Sequence, residues 1–188
     1  MDLTRTALVV VDVQQGFDEL AYWSPTGRRD NPACEANVGA LIAAWREAGR
    51  PLVFVRHDSD EEDSPLRPGT PGNDFREVVT GSPDLLVSKQ VNSAFYGTPD
   101  LDAWLREEGI ASLAVCGVTT NHCCETTARM AGNLGYDVLF VLDATHTFDR
   151  LAPDGSLVSA EDLARATAAS LHDEFATVVA TADLLTPA

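Results

Sequence analysis

Positive charge is scarce in this chain. Thirteen Lys and Arg stand against 29 Asp and Glu, a formal net charge of −16 over 188 residues. So acidic a protein repels phosphate backbones and anionic membrane surfaces, which sets nucleic-acid and membrane partners aside. Long apolar runs are missing too: none approaches the roughly 20 residues that span a bilayer. The opening stretch, MDLTRTALVVVDVQQGF, carries an Asp inside its apolar segment and no small-residue cleavage site after it, so it reads as a first strand rather than a signal peptide. Cysteines are few: Cys34, Cys116, Cys123 and Cys124, with no CxxC pair. That excludes the disulfide framework of a secreted mini-protein and suits a reducing cytoplasm. Repeats, low-complexity tracts and interdomain linkers are absent. With 45% hydrophobic and 22% charged residues, residues 1–188 are expected to form one α/β domain.

Short apolar, β-branched runs alternate with helical patterns. Strands are expected at 7–11, 51–55, 85–88, 112–118, 137–142 and 177–180. Between them, Asn31-Pro32 opens a helix whose apolar stripe is Val38, Leu41, Ile42 and Trp45. Thr98-Pro99 opens another with Leu101, Trp104 and Leu105 on one face; a third runs from about Cys123 to Asn133; and Ser159 caps a fourth, with Leu163, Thr167, Leu171 and Phe175 at helical spacing. Strands apolar on both faces belong to a parallel sheet covered by helices, so the expected fold is a three-layer α/β/α sandwich with about six strands. The segment HDSDEEDSPLRPGTPGND is too long for a simple connection and is expected to serve function.

Ligands of an open parallel sheet bind beyond the carboxyl ends of its strands. Few polar residues stand there: Asp12; His57 and Asp58; Lys89; the stretch GVTTNHCCETTA; and Asp143 and His146. Cys123 falls where the fourth strand hands over to a helix. Free N–H groups and the positive end of the helix dipole can lower the pKa of a thiol at such a place and can hold an oxyanion. A carboxylate and a lysine beside it would supply proton transfer and thiolate stabilisation. Cys34 and Cys116 are expected to be small buried hydrophobes.

Four stretches in order extend this reading: ALVVVDVQQGF, SKQVNSAFYGTPDLDAWLREEGI, LAVCGVTTNHCCETTARMAGNLGYDV and ASLHDEFATVVATADLL. Together they resemble the isochorismatase-like cysteine hydrolases over nearly the whole chain. The resemblance implies a six-stranded parallel sheet in the order 3-2-1-4-5-6 and a catalytic triad of Asp12, Lys89 and Cys123. The family's nucleophile follows the stretch Thr120-Asn121-His122 directly, which selects Cys123 over Cys124. A cis peptide between Val118 and Thr119 is implied, turning the Thr119 N–H toward an oxyanion shared with the Cys123 N–H. The implied reaction is hydrolysis of an amide or carbamoyl C–N bond of a small molecule through a thioester. Phe17, Asn92, Phe95, Tyr96 and His122 are candidates for the substrate pocket. The order of strands puts the third two places from the first, roughly 10 Å at normal spacing, so Lys89 must reach inward for the triad to hold.

Family members that are nicotinamidases bind a metal through Asp-X-His and a second His six residues on. Here strand two runs into VRHDSDEEDS, with one His, so no metal or other cofactor is expected, and the acidic run Asp58, Asp60, Glu61, Glu62 and Asp63 is expected to be a solvated loop. Within the amidase branch, streptothricin hydrolase is the attractive comparison. The alternatives are a vinyl ether hydrolase of the isochorismatase type, which lacks the nucleophilic cysteine, and a non-catalytic or redox-sensing protein using Cys123 and Cys124. Adjacent cysteines bridge only with strain, which counts against the last. The resemblance also implies a homodimer or larger homo-oligomer, with Tyr22 and Trp23 as candidate contact residues.

Overall fold

Alternating side chains of one strand feed two separate cores. In β1 (Thr6–Val11), Ala7, Val9 and Val11 enter one apolar cluster while Leu8 and Val10 enter the other, all fully buried. Only a sheet covered on both faces makes this pattern favourable, because each side chain withdrawn from water contributes roughly 1.5–3 kcal/mol. The structure, a computed structural model, describes residues 3–185.

The sheet comprises β1, β2 (Leu52–His57), β3 (Leu85–Lys89), β4 (Ser112–Val118), β5 (Asp137–His146) and β8 (Thr177–Val179). Its order is β3-β2-β1-β4-β5-β8, and every pairing is parallel. The two strands β6 (Arg150–Leu151) and β7 (Leu157–Val158) form a small antiparallel hairpin between β5 and β8. The sixth strand of the sheet is therefore the eighth in the chain, and the expected topology stands. The helices are α1 (Leu20–Trp23), α2 (Cys34–Glu47), α3 (Leu101–Glu107), α4 (Glu125–Asn133), α5 (Ala160–Leu171) and α6 (Thr181–Leu185). Among the described residues no helix is long and apolar enough to cross a membrane.

Helix boundaries depart from the sequence reading at particular caps. Asn31 adopts φ +41 and gives its side-chain amide to the carbonyls of Asp143 and Thr145, so α2 begins later, at Cys34. Asp100, not Thr98, caps α3: it directly follows the cis Thr98–Pro99 bond, and its carboxylate accepts the Ala103 N–H at 3.0 Å. Ser159 does cap α5, accepting the Asp162 N–H at 3.1 Å. That helix stops at Leu171, so Phe175 lies beyond it.

One glycine is required by close approach. Gly117 has φ +123, and a Cβ there would lie 2.0 Å from the Val11 carbonyl oxygen. β4 thus runs tight against β1, side by side at the strand ends that carry the polar cluster described next.

Candidate active site

β1 ends at Val11, and the next residue, Asp12, turns the chain with φ +51 while its N–H donates to the Val55 carbonyl at 2.9 Å. Aspartate tolerates this left-handed conformation better than most residues. Gln14 fixes the adjoining strand end. Its side-chain amide donates to the His57 and Asn73 carbonyls, and its oxygen accepts the His57 N–H at 2.9 Å. β3 delivers Lys89 at its last position, in register with His57 of β2. β4 ends at Val118, the Val118–Thr119 peptide is cis, and Thr120–Cys124 form one wide helical turn ahead of α4. The helix expected from Cys123 therefore starts earlier and in π form, with the His122 and Cys124 N–H groups both donating to Thr119 O at 3.2 Å.

These three strand ends bring Asp12, Lys89 and Cys123 into contact. Lys89 Nζ lies 2.5 Å from Asp12 Oδ2 and 3.4 Å from Cys123 Sγ. The lysine side chain is fully buried, as is that of Asp12, so the long stem does reach inward across the width of β2. Lys89 is also the sole lysine of the sequence. Burial alone would lower its pKa, but the Asp12 carboxylate and the Cys123 sulfur outweigh burial and raise it. Lys89 is therefore an ammonium ion, and its third contact, His57 Nδ1 at 3.2 Å, must accept from it. His57 in turn is held neutral, first by burial and then by the Lys89 charge.

Asp12, His57 and Cys123 offer ligand atoms within 4.8 Å of one another, a spacing that could hold a metal ion. The Lys89 ammonium touches all three residues. Of the acidic run after β2, Asp58 takes hydrogen bonds from Arg56, Ser88 and Asn73, while residues 60–63 are exposed.

The thiol pKa runs opposite to the expectation from its place at a helix start. Burial first, and the Asp12 charge second, push Cys123 up to about 12, against the partial relief that Lys89 gives. Cys123 is thus a neutral thiol at rest. Cys34, Cys116 and Cys124 are likewise held above their usual value near 9.0, chiefly by burial. The folded chain therefore keeps protons that the unfolded chain releases above about pH 9. The stability from these neutral thiols is complete below about pH 9 and is lost as pH rises toward the folded values, at up to about 1.4 kcal/mol per thiol per pH unit. Urea midpoints should hold steady to about pH 8.5 and fall steeply from about pH 9 to 10.5. A midpoint constant across that range would contradict this account.

Cys123 opens onto a cavity of about 370 Å³. Of the pocket residues expected from sequence, Phe17, Asn92 and His122 line it, with Asn92 Oδ1 3.5 Å from the Cys123 sulfur. Phe95 and Tyr96 do not. The tight turn Ala94–Tyr96 sends the Phe95 ring into the core against Tyr136 and leaves Tyr96 71% exposed on a separate depression. Tyr22 and Trp23 also line the cavity, forming an aromatic wall with Phe17, whose ring centroid is 4.6 Å from that of Trp23. Ser59, Asp60 and Glu61 bring the long loop after β2 to the cavity, and Arg150 enters from β6. No sequence signal singles out Arg150, one of several charged residues between β5 and α5.

The parallel sheet thus carries a buried carboxylate, ammonium and thiol together at its carboxyl end. The isochorismatase domain matches residues 6–183, and the chain belongs to the isochorismatase family. It is similar to a hydrolase of that family from Chromobacterium violaceum, with 39% identity and TM-score 0.91 over 98% of this chain and 94% of that one. It is 35% identical to the isochorismatase family protein YrdC of Bacillus subtilis over 96% of this chain and 95% of that protein. It is also 35% identical to streptothricin hydrolase of Streptomyces noursei, over 89% of this chain and 60% of that one. Further relatives include enzymes named nicotinamidase and ureidoacrylate amidohydrolase.

Proposed function

We propose that this protein is a cysteine hydrolase that cleaves an amide or carbamoyl C–N bond of a small molecule, with Asp12, Lys89 and Cys123 as its catalytic residues. The observation that carries the reading is the buried contact of one ammonium, Lys89 Nζ, with both Asp12 Oδ2 and Cys123 Sγ, two residues that line the cavity. Relatives named streptothricin hydrolase and nicotinamidase support the bond type.

Asp12 Oδ1 is buried and has no hydrogen-bond partner among the described residues, which leaves it ready to take the thiol proton. As Cys123 Sγ attacks the substrate carbonyl carbon, its proton passes to Asp12, and the carbonyl π electrons move onto oxygen. The backbone N–H groups of Thr119 and Cys123 receive that oxyanion, in a site where burial strengthens each donor. Collapse of the tetrahedral species breaks the C–N bond, and nitrogen leaves with the proton from Asp12. The same carboxylate then takes a proton from water as its oxygen attacks the thioester. The C–S bond breaks, sulfur recovers a proton, and the acid is released. Because the thiol is neutral at rest, sulfur becomes nucleophilic only as its proton moves. Lys89 stabilises the negative charge as it shifts from carboxylate to sulfur.

Amide, ureido and carbamoyl compounds, assayed for release of ammonia or amine, test this reading. Turnover should stop when iodoacetamide has modified Cys123, and acid-quenched enzyme should carry the acyl group on the Cys123 peptide. Iodoacetamide should react faster as pH rises through 9, with no plateau at neutral pH. Turnover that continues with Cys123 fully alkylated would overturn the mechanism.

A further inference from the structure

Five buried side-chain nitrogen or oxygen atoms lack a hydrogen-bond partner among the described residues, and three belong to residues lining the cavity: Asp12 Oδ1, Thr119 Oγ1 and Arg150 Nε. Native proteins leave few such atoms unpaired, and those that persist call for an explanation. The mechanism uses Asp12 Oδ1, while Arg150 is unused.

Arg150 makes no ion pair among the described residues, although acidic residues outnumber basic ones 29 to 13. The carboxylate next to it in sequence, Asp149, is turned away, accepting from Thr26 Oγ1 at 2.6 Å and the Ala160 N–H at 2.8 Å and pairing with Arg28. The one polar side chain against the guanidinium is neutral: His122 Nδ1, 3.5 Å from an Arg150 terminal nitrogen. Burial together with the Arg150 charge holds His122 neutral. Arg150 is therefore a half-buried, uncompensated cation that faces the same cavity as the thiol. A guanidinium presents a planar fork of N–H donors whose natural complement is a carboxylate.

We propose that Arg150 reads a carboxylate on the substrate, so that the molecules hydrolysed here are amides or carbamoyl compounds that also carry a carboxylate. The inference rests on the cavity being the substrate site of the hydrolase proposed above. Arg150 determines specificity and takes no part in bond breaking. The aromatic wall of Phe17 and Trp23 then covers the skeleton between the two polar ends.

The test compares molecules of one shape and different charge. The monoamides of malonic, succinic and glutaric acid each bear a carboxylate, and the three diamides replace it with a neutral amide. Binding is measured by calorimetry on Cys123→Ala, which cannot turn either set over. At least one monoamide should bind about tenfold more tightly than its diamide, as a charge-assisted hydrogen bond allows. Adding Arg150→Met should bring that ratio to about one, and Arg150→Lys, which keeps the charge but not the fork, should reduce it partway. Arg150→Lys carries the comparison if the methionine variant does not fold. Ratios near one for all three pairs, or a ratio that the Arg150 variants leave unchanged, would overturn the proposal. Turnover by wild-type protein separates the two ideas. Charge preference without hydrolysis of any amide would leave the anion site standing and sink the hydrolase reading; hydrolysis without charge preference would do the reverse.

Discussion

Cys123→Ala is expected to lose at least about 10⁴-fold in kcat/KM on whichever amide the protein hydrolyses, while Cys124→Ala keeps most of its activity. The two sulfurs are neighbours in sequence but differ in surroundings. Cys123 touches Lys89 Nζ at 3.4 Å and faces the cavity. Cys124 is fully buried in the apolar cluster beneath the sheet end, and its thiol is held well above its ordinary pKa, mainly by burial. Removing Cys124 Sγ takes an apolar atom from the core and should cost about 1 kcal/mol of stability. Removing Cys123 Sγ takes away the atom that would bond to carbon. The Asp12–Lys89 pair survives in Cys123→Ala, so that variant should fold with nearly unchanged stability and still bind ligands. Steady-state kinetics with urea denaturation checks both halves. Appreciable turnover by Cys123→Ala would remove the nucleophile from the mechanism.

Lys89→Met should be inactive and also less stable by about 3–5 kcal/mol, because it strands a buried carboxylate without its partner. Asp12 loses the donor at 2.5 Å, and its Oδ1 has no partner to compensate. Adding Asp12→Asn should restore much of the stability, since no charge is then left alone, yet restore no activity, since the proton acceptor is gone. This contrast between stability and rate separates a charge that the fold tolerates from one that the chemistry uses. A Lys89→Met protein with wild-type urea midpoint and wild-type rate would show that the buried pair does neither.

Much of this site could be read from sequence because parallel strands announce themselves. Ala7–Val11 and Ser112–Val118 are apolar on both faces, so a polar residue directly beyond such a run stands out. That position brings out Asp12, Lys89 and the stretch that holds Cys123, and the resemblance to the isochorismatase-like hydrolases singles out these three among the polar residues at the strand ends. The strand order and the inward reach of Lys89 depend on long-range pairing, which local spacing does not encode. Phe95 and Tyr96 were misplaced because the tight turn Ala94–Tyr96 rotates both rings off the cavity, and the Ala94 N–H is held there by Thr127 Oγ1 at 3.0 Å. The direction of the thiol pKa is not legible in sequence for a related reason. A helix start is visible in sequence, but depth of burial is set by the whole fold, and here depth outweighs the dipole. Arg150 escaped notice because its significance lies in the carboxylate it lacks, and a missing partner shows only in three dimensions.

The contact of Lys89 with Asp12 and Cys123 has a consequence for charge balance. The Asp12–Lys89 ion pair beside an uncharged thiol makes the buried trio electroneutral at rest. When the thiol proton crosses to the carboxylate, the trio becomes net positive just as a negative oxygen forms on the substrate beside it. The sum over trio and substrate does not change. The buried trio can therefore pass through an ionic intermediate without drawing an ion or a proton from solvent.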